Sequence, residues 1–268
     1  MKENLNPRRE FLKKSGLTVL AGAVVPNIIV NKTYAMEKDN LLGHGSHRYK
    51  VIEGWGNLDP VKNPVNDCHE MVEDAKGRLI LLTNETKNNV IIYDKSGKLL
   101  ETWGSTYPGA HGLTISDEGG EEFLYISDNT RSQVIKTDLK GREIMVIDYP
   151  RETGNYDGKY IKTIPTPGSF VCRPVLRGDN VYAAVYRSTT QAYPNSGYIT
   201  ILDKNDQVVS TPGGTAPEYV NGELQEQRKD MSFQGFMHPH DVCVDRDENI
   251  YVPQWASQKT YPVKLERV

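Results

Sequence analysis

Residues 69–104 read HEMVEDAKGRLILLTNETKNNVIIYDKSGKLLETWG, and residues 111–148 repeat the phrase as HGLTISDEGGEEFLYISDNTRSQVIKTDLKGREIMVID. Both open on a histidine and soon reach an acidic, glycine-containing turn, Asp74 to Gly77 or Asp117 to Gly120. Each continues through apolar residues, Leu79–Leu82 or Phe123–Ile126, to a polar loop. A further apolar run ends at a second turn, Asp94-Lys-Ser-Gly97 or Asp138-Leu-Lys-Gly141, and a last run closes the unit. Short runs bounded by Asp/Gly turns read as β-strands, and no 3.6-residue periodicity competes with that reading. His69 to His111 is a period of 42 residues, which suits four-stranded propeller blades.

The pattern extends in both directions. A weaker third unit runs GDNVYAAVY (178–186) and GYITILDKNDQVVSTPG (197–213). A fourth opens at HPHDVCVDRDENIYVPQW (238–255) and ends at TYPVKLERV (260–268), with three strands. Its missing outer strand has a candidate far upstream: RYKVIEGWG (48–56) matches KLLETWG (98–104), including the Trp-Gly pairs at Trp55 and Trp103. A strand from one end of the chain completing the blade at the other closes a ring by main-chain hydrogen bonds and leaves no open end. The expected fold class is therefore all-β, a propeller of four recognisable four-stranded repeats over residues 36–268.

Composition agrees and narrows the function. The 268 residues hold 32 Lys+Arg against 35 Asp+Glu, a formal charge of −3, which argues against a nucleic-acid binder driven by phosphate neutralisation. Hydrophobic residues make up 37%, too few for a polytopic membrane protein. Three Cys exclude a disulfide scaffold and a Cys-rich zinc module. Residues 1–35 read as an export signal rather than as fold: Arg8-Arg9, then Phe11, Leu12 and Lys13, precede an apolar stretch from Gly16 to Val30, interrupted by Pro26. The paired arginines resemble the twin-arginine motif, and Thr33-Tyr34-Ala35 offers a cleavage point. The expectation is a periplasmic or secreted protein with no stable membrane span once the signal is removed.

His111-Gly112-Leu113 opening one repeat and Pro239-His240-Asp241 opening the last resemble the NHL-repeat β-propellers, above all the lyase domain of peptidylglycine α-amidating enzymes and its bacterial six-bladed relatives. The resemblance covers nearly all of residues 36–268. It implies a zinc ion on the central axis, with His111 and His240 as ligands, and a neighbouring calcium held by Asp241 and the Leu113 carbonyl. It also implies release of glyoxylate from a peptidyl α-hydroxyglycine, with metal, Tyr and Arg stabilising charge. The chain departs from that family in showing four repeats rather than six. Segment 150–168, PRETGNYDGKYIKTIPTPG, contains DGKYIKTI, which reads as a final blade strand without the three that should precede it. No Pro-His phrase stands between Leu113 and His238 to supply the family's second zinc histidine.

His69 offers a local substitute, because it opens its repeat where His111 and His240 open theirs. Equivalent positions in radially repeated blades face one axis, so three imidazoles would converge there. Three His with one open position is the ligand set of catalytic zinc, although imidazole also suits copper, iron and nickel. The competing reading is that each His bonds the turn at its blade entrance. Tyr186 is the candidate phenol near the axis and Arg131 the candidate charge-stabilising cation, with Arg173 as a second guanidinium for a substrate carboxylate. His238 is a candidate proton carrier; Glu70 and Glu85 are candidate acids or bases with no distinguishing partner. Cys68 and Cys243 flank the proposed ligands as a disulfide, as ligands or, most ordinarily, as buried thiols. Two functions follow: a metal-dependent lyase or hydrolase acting on a small or peptidyl substrate, or a non-catalytic ring whose loop face binds a protein or carbohydrate partner, with a truncated inactive relative of the family as the further alternative that four repeats leave open.

Overall fold

The computed structural model describes residues 41–149, 162–188 and 196–268. The signal expected at residues 1–35 lies outside them, as does most of DGKYIKTI; residues 162–168 carry no strand. No helix occurs among the described residues, so none is long and apolar enough to cross a membrane.

Strands β1 (Leu41–His44) and β2 (His47–Ile52) form a hairpin. Blade I follows as β3 (Cys68–Glu73), β4 (Leu79–Thr83), β5 (Val90–Tyr93) and β6 (Leu99–Trp103). Blade II is β7 (Ala110–Asp117), β8 (Glu122–Asp128), β9 (Gln133–Asp138) and β10 (Glu143–Ile147). Blade III is β11 (Ser169–Arg177), β12 (Asn180–Arg187), β13 (Tyr198–Leu202) and β14 (Val208–Ser210). A small hairpin, β15 (Tyr219–Val220) and β16 (Glu223–Leu224), leads to blade IV, β17 (Cys243–Val244), β18 (Ile250–Val252) and β19 (Val263–Arg267). Every pairing is antiparallel, and each blade is a meander running outward from β3, β7, β11 or β17. These four inner strands share an axial cavity of about 270 Å³ walled by Met71, Ile115, Arg173 and Cys243. The chain is a four-bladed β-propeller.

The closure expected from the Trp-Gly match is present. Strand β2 pairs with β19, Val51 opposite Leu265 and Lys50 opposite Glu266, so blade IV is completed from upstream. Strand β1 then adds a fifth strand outside β2. The two tryptophans do the same job one blade apart. Trp55 reaches the Asp94–Gly97 turn of blade I, where its indole N–H donates to the Lys95 carbonyl at 3.1 Å. Trp103 reaches the Asp138–Gly141 turn of blade II and donates to the Leu139 carbonyl at 3.2 Å. Both turns need glycine: φ is +90° at Gly97 and +84° at Gly141, and a Cβ on either would press into the docked indole. The third unit is fuller than its sequence suggests, because β11 precedes GDNVYAAVY despite containing Pro174.

Alternating residues build three apolar seams. Leu81, Ile91 and Tyr93 of blade I pack with Trp55 and Tyr251 of blade IV. Ile80, Leu82 and Ile92 pack with Leu124, Ile126 and Ile135 of blade II. Tyr182, Ile199 and Ile201 of blade III pack with Val252, Leu265 and Tyr49 of blade IV. Among the described residues no such cluster joins blade II to blade III; β10 is exposed along its length, and Phe170 and Leu176 of β11 are exposed too.

Trp55, 4% exposed, is the better buried of the two docking residues. Trp55→Ala should lower the unfolding free energy by about 3 kcal/mol, and Trp103→Ala by less, because Trp103 is half-buried. Urea unfolding of both variants measures this; parental stability of Trp55→Ala would remove the docking role.

Candidate metal centre

The three repeat-opening histidines meet. His69 and His111 have ring centroids 4.5 Å apart, and His240 lies 5.0 Å from the first and 5.1 Å from the second. One ring nitrogen from each can be chosen so that all three lie within 4.8 Å of one another. Local backbone irregularity aims two of them. Cys68 pairs with Thr83 and Glu70 with Leu82, so the register slips at His69. Ala110 pairs with Asp128 and Gly112 with Ser127, so it slips again at His111. Such bulges redirect the side chain they carry. His240 stands just before β17, its N–H bonded to the Pro253 carbonyl at 3.0 Å.

Burial favours the neutral form of two of these imidazoles, His69 and His240. His240 Nδ1 lies 3.0 Å from the His69 carbonyl; the carbonyl can only accept, so Nδ1 carries the hydrogen and Nε2 keeps its lone pair. His69 is 4% exposed, and its Nδ1 is buried with no partner. Burial, then the neighbouring His240 and His111, pulls the His69 pKa from 6.5 down to about 3. Burial likewise lowers that of His240. Three imidazoles in mutual reach, one with an unspent buried nitrogen, fit a divalent transition metal. On one side His111 lines a cavity of about 640 Å³ together with Ser127, Asp128, Gln133, Ile147 and Tyr149.

Beneath the triad lies a polar knot. Asp241 is fully buried; its Oδ2 accepts from the Met71 N–H at 3.2 Å and from Arg173 Nη2 at 2.9 Å, while Oδ1 has no partner. Burial pushes the Asp241 carboxyl up to about 7, against the opposing pull of Arg173. Arg173 Nη1 donates to the Leu113 carbonyl at 3.1 Å and lies 3.5 Å from Glu70 Oε2. The same Glu70 oxygen accepts from the Leu113 N–H at 2.5 Å. Glu70 thus has the distinguishing partners its sequence did not reveal.

The remaining candidates make contacts of their own. Tyr186 stacks on His238, centroids 4.7 Å apart, beside Trp255, and Arg187 sits over its ring. His238 Nδ1 bonds the Ala256 carbonyl at 3.3 Å. Arg131 donates to the Thr106 carbonyl at 3.3 Å and lies over Tyr107. Among the described residues neither Tyr186 nor Arg131 contacts the three imidazoles. Glu85 accepts from the Lys87 N–H in an exposed turn. Cys68, Cys172 and Cys243 are all free thiols, which sets the disulfide aside. Arg173, read from the sequence as a second guanidinium for a substrate carboxylate, pairs with the protein's own Asp241 and Glu70, beside a register shift between Val171 and Pro174.

No protein-family model matches the chain, and no curated protein matches it. Among solved structures it is similar to streptogramin B lyase at 13% identity and a TM-score of 0.43, over 81% of this chain and 97% of that one. It is similar to virginiamycin B lyase from Staphylococcus aureus at 14% identity and a TM-score of 0.28, over 84% of this chain and 60% of that one. A luciferin-regenerating enzyme aligns at 10% identity and a TM-score of 0.30, over 76% and 73%.

An unfolded chain protonates its histidines as pH falls through about 6.5, whereas the folded chain holds His69 neutral down to about 3. Stability from this group is therefore complete above pH 6.5 and lost as pH falls toward 3. The metal-free protein should melt at a lower temperature in mildly acidic buffer than at neutral pH, and His69→Asn should flatten that dependence. Equal melting temperatures for the parent across this range would contradict the buried, neutral assignment.

Proposed function

We propose that the chain is a metal-dependent lyase or hydrolase working at the axial three-histidine site, with zinc as its ion. The observation that carries this reading is the convergence of His69, His111 and His240, one nitrogen from each within 4.8 Å of the others. Bound there, the ion would act as a Lewis acid on a substrate oxygen or a water. The three imidazoles would hold it, and the His240 Nδ1–H bond to the His69 carbonyl leaves the Nε2 of His240 as the nitrogen offered. The cavity beside His111 gives a substrate room to approach.

The finer reading follows the resemblance to the NHL-type amidating lyases and names a peptidyl α-hydroxyglycine as substrate. The hydroxyl gives up its proton, the C–N bond breaks, the departing amide nitrogen is protonated, and glyoxylate leaves. Tyr186, stacked on His238 two residues before His240, is the phenol this proposal assigns to proton transfer, and Arg131, between the cavity-lining Asn129 and Ser132, the cation it assigns to the substrate carboxylate, both reaching a substrate that extends beyond the imidazoles. Export by the twin-arginine route belongs to the same proposal; that route carries folded proteins, so metal loading would precede transport. The second reading, a non-catalytic ring binding a protein or carbohydrate partner, draws on the exposed apolar residues of β10, Ile144 to Ile147.

Purified protein lacking residues 1–35 should carry about one zinc ion per chain by elemental analysis. His69→Ala, His111→Ala and His240→Ala should each weaken zinc binding by ~100-fold or more. Absence of any transition metal from the parent would leave the binding reading ahead. Glyoxylate release from a peptidyl α-hydroxyglycine tests the substrate: release that disappears in all three variants supports it, and none from the zinc-loaded parent excludes it.

A further inference from the structure

We infer that Arg173 is a built-in cation: it stands where the family resemblance puts calcium, and it positions all three histidines of the proposed zinc site. The oxygens assigned to calcium are Asp241 and the Leu113 carbonyl, and both already face the guanidinium, at 2.9 and 3.1 Å. Glu70 completes the set at 3.5 Å. Two carboxylates and a carbonyl are hard oxygen donors of the kind calcium takes. Arginine carries a charge that is never lost in a protein, and its planar fork meets several acceptors at once. A dication entering the same space would lie at contact distance from that fixed positive charge, so with Arg173 in place these oxygens are occupied and take no calcium.

Connectivity makes this a positioning device. Glu70 follows His69, Asp241 follows His240, and Leu113 lies two residues beyond His111. Arg173 comes from β11, the one inner strand whose blade supplies no imidazole to the triad. One side chain from the blade without a histidine thus holds the backbone or neighbour of each histidine in the other three. Where a bound ion would draw the strands together, a covalently attached cation does it here.

The inference rests on the zinc reading for its affinity arm alone; its calcium arm stands independently. The full chain lacking residues 1–35, Arg173→Ala and Arg173→Lys are compared by thermal melting with and without millimolar calcium, and by zinc titration. The parent should melt at the same temperature with or without calcium. Arg173→Ala should melt lower, recover with calcium, and bind zinc about tenfold or more weakly. Arg173→Lys, which keeps the charge but loses the fork, should fall between them in zinc affinity. Calcium raising the parent's melting temperature, or leaving that of Arg173→Ala unchanged, overturns the built-in cation. Parental zinc affinity in Arg173→Ala overturns the positioning role. If Arg173→Ala does not fold alone, calcium added during refolding should restore soluble protein, and failure to do so counts against the inference. A parent that binds no zinc refutes the function proposed above and leaves the calcium comparison to judge Arg173.

Discussion

The guanidinium of Arg173 touches every other blade. It reaches Leu113 in blade II, Glu70 in blade I and Asp241 at the entrance of blade IV, while its own backbone belongs to blade III. Removing Arg173 costs far more than its pairs' net stabilising value, because the fully buried Asp241 carboxylate is left without solvent or counter-charge. That asymmetry makes the knot a strong constraint even though the pairs add little net stability. It matters most between blades II and III, where no apolar cluster among the described residues does the work done at the other three seams. The axis carries by hydrogen bonds and charge what the flanks carry elsewhere by burial.

Two of the other seams share a repeated device. An indole at the end of one blade's outer strand inserts over a tight Asp-x-x-Gly turn of the next, and the turn's aspartate binds its own backbone. Asp94 Oδ1 accepts from the Ser96 and Lys98 N–H groups, and Asp138 Oδ1 from those of Lys140 and Arg142. The device runs from blade IV to I and from I to II, then stops. At the end of blade II stands Tyr149, 66% exposed. Continuity of packing thus ends where the apolar seam ends.

Much of this was legible beforehand, for physical reasons. Strand alternation and Asp/Gly turns are local, so the repeat and its period could be read directly, and the Trp-Gly match revealed the pairing of β2 with β19 because both indoles meet the same steric demand. Convergence of His69, His111 and His240 followed from radial symmetry. The bulges that aim His69 and His111 leave no mark in residue type, since each is a one-residue register slip that either partner strand could absorb. Strand β11 was hidden by Pro174 and by polar residues that break its alternation. Arg173 and Glu70 were unreadable as a pair because 103 positions separate them and nothing in either neighbourhood names the other.

The pairing of β2 with β19 also orders events in time. Blade IV cannot be finished until β19 has been synthesised, because β19 must lie between β18 and the long-waiting β2. During synthesis blades I and II can form early and present two imidazoles, but the third arrives only with the blade that shuts the circle. Contacts between distant parts of a chain form slowly. The three imidazoles therefore come together only once blade IV is in place, and a chain stalled before it would present two of the three.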